Sequence, residues 1–355
     1  MTIGTCGFCA TGSSAVSDYL KEFDENQVLD EMEFTIPYRP DGLLDLEYHL
    51  MQNPCRDDGS AIAIPRFRRL MKKQIRSICI KYGVPQIKLQ QLVDEFIDSL
   101  VQFRWYGTNR SDVELNPSKF YYYFANIIMK GKVIPRINRK IGRCVNIYPY
   151  RDLEVSIAPL SFDESSRAFV KNLLSFMGAN FQKNIVLDQP FMGDDPTQSF
   201  RFFDNPKAIV VDRDPRDLYI FALKVLYKST KYFPVDNVQE FVTYYKLLRK
   251  DRPYTIPNEN VLCLHFEDMV YDYDNATKSI REFLGLGINP RPFSVFDPKI
   301  SIHNTRLFDR FPEYKDDINY IEKSLPEYLF DYERFPKQEI YGEMFEGKSP
   351  LNKKK

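Results

Sequence analysis

The chain has 355 residues, 43% hydrophobic and 28% charged, which is enough to bury a large α/β core. Forty-nine basic residues balance forty-nine acidic ones, so no global charge draws the protein to nucleic acid or to an anionic membrane, and any anion site must be built locally. No apolar run approaches the ~20 residues of a membrane-spanning helix. No signal-like segment follows Met1, and six scattered cysteines suit reduced thiols, so a cytoplasmic protein is expected.

Residues 3–8 are a short apolar run and predict a buried strand. Gly7-Phe8-Cys9-Ala10-Thr11-Gly12-Ser13-Ser14 follows it, and an amphipathic helix over 13–23 comes next. The spacing G-x-x-x-x-G-x-S between strand and helix is that of a phosphate-binding loop. Its glycines let successive N–H groups face an anion, and the helix N-terminus adds partial positive charge. Cys9, Ala10, Thr11, Gly12, Ser13 and Ser14 are the candidate contacts. Ser13 stands where a nucleoside triphosphatase carries Lys, which disfavours γ-phosphoryl chemistry. Cys6 and Cys9 also form a C-x-x-C. A thioredoxin-like dithiol is disfavoured, because the helix starts too late to place its N-terminus against Cys9.

Further along, residues 33–36 are a possible strand. Residues 62–82 and 87–103 carry apolar side chains at helical spacing. The whole stretch from about 60 to 142 predicts a helical insertion without strands. Residues 184–187, 208–211 and 261–264 predict buried strands, and 165–177, 218–227, 238–248 and 276–284 predict helices. Short strands alternating with helices imply an α/β fold of three layers, with a parallel sheet flanked by helices. One such domain is expected over 1–347, with a disordered tail at 348–355.

A second constellation closes the 208–211 strand. Asp212-Arg213-Asp214-Pro215-Arg216-Asp217 precedes a helix, and Pro215 suits its first turn. Arg213 falls at the carboxyl end of a strand, where α/β sheets bind ligands. A guanidinium there can grip a phosphate bidentately.

Together these motifs resemble the P-loop sulfotransferases of bacterial type, which use 3′-phosphoadenosine 5′-phosphosulfate as donor. Thr11-Gly12-Ser13-Ser14 is similar to that family's 5′-phosphosulfate loop, and Arg213-Asp214-Pro215-Arg216-Asp217 to its 3′-phosphate motif. Residues 264–273 followed by 280–285 resemble its "YEDL…FLG" stretch. Ser301-Ile-His-Asn-Thr-Arg306 resembles the segment that closes over the nucleotide, which implicates Asn304 and Arg306. The family's loop cation is replaced by Ala10, so another cation must serve; Arg39, Lys130, Lys132, Arg136 and Arg139 are candidates. The family's second 3′-phosphate contact is replaced by Phe221, for which Tyr219 or Arg216 could substitute.

The resemblance implies transfer of a sulfonate group to a hydroxyl, with a base that takes the hydroxyl proton. Asp188 or Gln189 occupies the place of the base in cytosolic members, and Asp188 can accept a proton. Glu33, with Glu31 behind it, is the counterpart of the base in carbohydrate-acting members, and His303 is a third option. A carbohydrate (capsular or exopolysaccharide) or a lipid or sterol alcohol is the expected acceptor, with no metal. Aromatic residues 120–124 could line an acceptor pocket or simply form helix core. The rival readings are a phosphotransferase on the same loop, and a non-catalytic nucleotide- or glycan-binding protein.

Overall fold

The computed structural model describes residues 1–109, 123–142, 150–226, 231–252, 258–337, 340 and 342–345. Thr2–Gly7 (β1) is buried along most of its length, and so is the centre of Pro206–Asp212 (β6). Asn184–Asp188 (β5) follows the same pattern. Continuous apolar strands of this kind require a sheet covered on both faces. β1 pairs in parallel with β5, Thr5 opposite Asp188, and with β6, Gly7 opposite Val211. Val261–His265 (β7) extends the sheet beside β6, and Asn26–Leu29 (β2) beside β5. The order is β2-β5-β1-β6-β7, all parallel. The chain therefore leaves β1 at the middle of the sheet, with β5 and β6 on either hand.

Helix Ser13–Leu20 covers one face with Val16, Tyr19 and Leu20, packed with Ile3, Val186, Ile209 and Phe266. Helices Pro215–Lys224 and Val238–Leu248 form a second core with Leu218, Phe241 and Tyr245.

Two expectations about strands fail. Residues 33–36 are not a strand; the strand of that region is β2, which sits at the sheet edge with Gln27 and Val28 half-buried. A short, half-polar edge strand shows no continuous apolar run. The stretch 60–142 is not free of strands either: Phe103–Gly107 (β3) pairs antiparallel with Arg151–Val155 (β4). The first four residues of β3 are exposed, so burial imposes no period on them. The partners of β3 lie 44–52 residues onward, which local pattern cannot report.

The packing divides the chain into two compact units, Met1–Thr35 with Ala179–Lys355, and Ile36–Gly178. The five-stranded sheet belongs to the first. In the second, helices Asp58–Tyr82, Gln86–Leu100 and Phe162–Phe176 meet around Phe67, Phe96 and Phe169, with the latter two rings stacked 4.6 Å apart. Residues 120–122 of the aromatic run, Cys144, Tyr227 and the tail 348–355 lie outside the described residues.

Candidate functional site

β1 ends at the carboxyl edge of the sheet, and the loop after it is built from left-handed residues. Cys9, Ala10 and Gly12 have φ of 73°, 54° and 91°. Two of these carry a Cβ, which makes the conformation costly. Gly12 is required twice over: its φ favours glycine, and a Cβ there would lie 2.5 Å from the Phe266 ring. A Cβ at Gly7 would run into Thr11 Oγ1 and the Val211 carbonyl. The Phe8 N–H donates to Thr11 Oγ1 over 3.1 Å, closing the turn. Among the described residues, the peptide N–H groups of residues 9–14 donate to no other part of the protein. No side chain caps helix Ser13–Leu20. Consecutive unbonded N–H groups at a helix N-terminus form a cradle for an anion.

Gln189 fastens this loop from β5. Its Oε1 accepts from the Gly7 N–H over 3.2 Å, and its Nε2 donates to Ser13 Oγ over 3.0 Å. The tie is not visible locally, because 176 residues separate Gln189 from Ser13.

Arg213 joins the remaining motifs. Its guanidinium donates from Nη1 to the Ala10 carbonyl over 3.2 Å and from Nη2 to the Asn304 carbonyl. Only 3% of the residue is exposed, and Nε is buried without a partner among the described residues. The Phe221 and Phe266 rings lie 4.6 and 5.4 Å from it. Phe221 is therefore a cation–π partner of Arg213.

Arg216 is engaged within the protein, and Arg306 in part, its Nε also being buried without a partner among the described residues. Arg216 bonds Asp214 over 2.7 Å and Glu322 over 3.0 Å, with the Phe330 carbonyl at 3.2 Å. Arg306 donates to the Tyr332 carbonyl over 2.7 Å and stacks on the Tyr332 ring. The Tyr219 hydroxyl bonds Asp317 over 2.8 Å. Asn304 exchanges amide hydrogen bonds with the Phe345 backbone.

The three candidate bases differ in setting. Asp188 ends β5 half-buried, and its charge helps burial to raise the Cys6 thiol. The Asp188 carbonyl accepts the Phe34 N–H over 2.7 Å, so the segment carrying Glu33 crosses the end of β5. Glu33 is exposed, and after burial it is its charge that raises the Cys9 thiol. With both thiols raised, the C-x-x-C is not a thiolate pair. His303 lies against Gly342, and its carbonyl accepts from Arg310 over 2.9 Å.

Arg249, which the sequence did not single out, and three acids of the quoted motifs to which it gave no role complete the site. Arg249, 2% exposed, bonds Asp212 from Nε over 2.8 Å and lies 4.3 Å from the Phe8 ring. Beneath the 301–306 segment, Asp214, Asp217 and Glu267 are all fully buried. Asp217 accepts from the N–H groups of Arg306 and Leu307 over 2.9 and 2.6 Å, and from the Tyr332 hydroxyl. Burial, then the charge of Asp214, pushes its carboxyl up to about 6. Burial and the same neighbours hold Glu267 well above the usual carboxylate range. Asp214 caps its own helix through the Arg216 N–H two residues on, but the bonds of Asp217 to 306–307 and of Glu267 to the Asp214 N–H join residues distant in sequence.

The cations proposed to replace the loop Lys all belong to the second unit. There Arg39 lines an open groove of about 390 Å³ with Arg69 and Lys73. Among the described residues no group of three His, Cys, Asp or Glu side chains is arranged to hold a metal ion, and no helix is long and apolar enough to cross a membrane.

No protein-family model matches the chain, and neither does any curated protein. Several solved structures are similar. The sulfotransferase domain of the Synechococcus PCC 7002 olefin synthase is 13% identical over 82% of this chain and 75% of that one, with a TM-score of 0.38. A sulfotransferase domain from the curacin biosynthetic pathway is 12% identical over 92% and 98%, with a TM-score of 0.39. Retinol dehydratase, in complex with androsterone and the inactive cofactor PAP, is 14% identical over 89% and 69%, with a TM-score of 0.29. These are remote likenesses of fold, and the reading of the site stands on its own residues.

Proposed function

We propose that this protein is a sulfotransferase that moves a sulfonate group from 3′-phosphoadenosine 5′-phosphosulfate to a hydroxyl of a carbohydrate or of a lipid or sterol alcohol. One observation carries the reading: Arg213 ties the Ala10 carbonyl of the loop to the Asn304 carbonyl of the 301–306 segment while its buried Nε stays unpartnered. Three sequence motifs that resemble one nucleotide site are thereby joined by one guanidinium. A buried N–H without a partner costs stability unless a ligand satisfies it. The unbonded N–H groups of residues 9–14 fit the 5′ end of such a donor, and Arg213 fits its 3′-phosphate.

The donor supplies a sulfonate already activated by its bond to phosphate. The loop holds that end by backbone N–H groups and by the hydroxyls of Ser13 and Ser14. Asp188, at the end of β5, takes the proton of the acceptor hydroxyl as its oxygen attacks sulfur. The new sulfur–oxygen bond forms as the bond to the phosphate oxygen breaks, and the negative charge left there stays with the loop. Glu33 is the alternative base. With Ala10 in the loop, charge on the departing oxygen is met by the unbonded backbone N–H groups of residues 9–14 and by the hydroxyls of Ser13 and Ser14.

Sulfur-labelled donor offered to mixed glycans and lipid alcohols tests the reaction. Label should enter an acceptor, and Asp188→Asn should lower turnover about 10²–10⁴-fold with nucleotide affinity nearly unchanged. Retained turnover in Asp188→Asn with loss in Glu33→Gln moves the base to Glu33. Tight nucleotide binding with no transfer to any acceptor would instead mark a binding protein.

A further inference from the structure

Gln189 is a strained residue with an unusual set of bonds. Its φ is 51°, left-handed for a residue with a Cβ, and Pro190 follows it. A residue before proline prefers extended backbone, so this conformation is doubly disfavoured. The conformation lets the Gln189 amide reach both ends of the loop, at Gly7 and at Ser13.

The polarity of those bonds follows from one fixed donor. A peptide N–H can only donate, so the group facing Gly7 must be the Gln189 carbonyl oxygen, Oε1. The amide nitrogen is then the group facing Ser13, and it too can only donate. Ser13 Oγ therefore accepts, and its proton is left over. Among the described residues nothing accepts that proton. It lies at the first residue of the helix, beside the unbonded N–H groups of residues 9–14.

We infer that Gln189 is a positioning residue: its amide forces the Ser13 hydroxyl to act as a donor, and so aims one more O–H at the phosphate-linked group held by the loop. A glutamate in the same place reverses the chain of bonds. Its carboxylate would accept from Gly7 and from Ser13 alike, consuming the proton that the anion needs. The inference rests on reading residues 7–14 as an anion-binding loop.

A double-mutant cycle on the full chain tests it, with affinities for 3′-phosphoadenosine 5′-phosphate and for inorganic pyrophosphate measured by calorimetry. Ser13→Ala should weaken either ligand about tenfold, the scale of a hydrogen bond to a charged acceptor. Gln189→Glu should weaken both ligands more, through the reversed hydroxyl and through charge repulsion. Repulsion or a misshapen loop persists without the hydroxyl, whereas the polarity effect does not. The Gln189→Glu loss should therefore be about tenfold smaller in the Ser13→Ala background. Equal losses in both backgrounds overturn the inference. If Gln189→Glu does not fold, Gln189→Met removes the donor without adding charge, and its loss must likewise shrink in the Ser13→Ala background. Coupling seen with pyrophosphate but no binding of the nucleotide keeps the inference and sinks the proposed donor. Failure of the wild-type chain to bind either ligand overturns both.

Discussion

Arg213 decides more about the site than any other single side chain. It is buried, stacked on Phe221 and Phe266, and bonded to two carbonyls from opposite ends of the chain. Its removal has two consequences that measurement can separate. The loop and the 301–306 segment lose their common tie, which weakens every nucleotide. A ligand with a 3′-phosphate loses a charge-assisted contact as well, worth about 1.5–3 kcal/mol. Arg213→Ala should therefore weaken 3′-phosphoadenosine 5′-phosphate roughly 10–100-fold more than adenosine 5′-phosphate. If titration shows the two weakened alike, Arg213 is structural and the 3′-phosphate is bound elsewhere. Arg216 offers no such prediction, since Asp214, Glu322 and the Phe330 carbonyl already occupy it.

Among the elements, the turn between β1 and helix Ser13–Leu20 carries the sharpest constraint. A Cβ at Gly12 would lie 2.5 Å from the Phe266 ring, inside contact distance. Gly12→Ala should lower stability by about 1–3 kcal/mol through backbone strain, and overlap with Phe266 adds to it. Phe266→Leu in the same chain should restore part of the melting temperature and part of the nucleotide affinity. No restoration would mean that the φ of Gly12, and not the Phe266 contact, sets the requirement. Helix Pro215–Lys224 makes a different kind of prediction. Its Asp217 holds the backbone of Arg306 and Leu307, with a carboxyl raised from the ordinary 3.8 to about 6. The native state therefore keeps this proton more tightly than the unfolded chain. The stability it adds is complete below about pH 4 and is lost as pH rises through about 6. Thermal melts should show stability falling between pH 4 and 7. Asp217→Asn should lower the melting temperature at pH 4, because one acceptor oxygen is lost, and should flatten the slope across that window. An unchanged slope in Asp217→Asn would assign the titration to another group.

For the molecule as a whole, the expected signature is stabilisation by the right nucleotide. A ligand that binds only the folded state adds about 2.7 kcal/mol at ~100 Kd. 3′-Phosphoadenosine 5′-phosphate should raise the melting temperature by several degrees, and ATP with Mg²⁺ by less. Equal shifts would favour a phosphotransferase, in which the loop reads a triphosphate despite Ser13 in place of Lys. The zero net charge of the chain makes any such effect local, so it should weaken with salt less than binding driven by a long-range field.

What the sequence determined by itself is local. Residues 3–8, 184–187 and 208–211 read as strands because a strand buried on both faces must be apolar throughout, and each forms at its place within a residue or two at each end; 261–264 also forms, but as a half-buried edge strand with Cys263 exposed. The loop at 7–14 was legible because tight left-handed turns favour glycine, and Arg213 because it directly follows a strand end. The tertiary structure decided what depends on strand order. β2 and β3 are half-polar or exposed, so only pairing with distant partners makes them strands. The order β5-β1-β6 brings Gln189 to Ser13 and Arg213 to Ala10, 203 residues apart. Side-chain chemistry names what a residue can bond. Which partner it meets is settled by the sheet, because hydrogen bonds reach only about 3 Å and the sheet chooses which strand ends come that close.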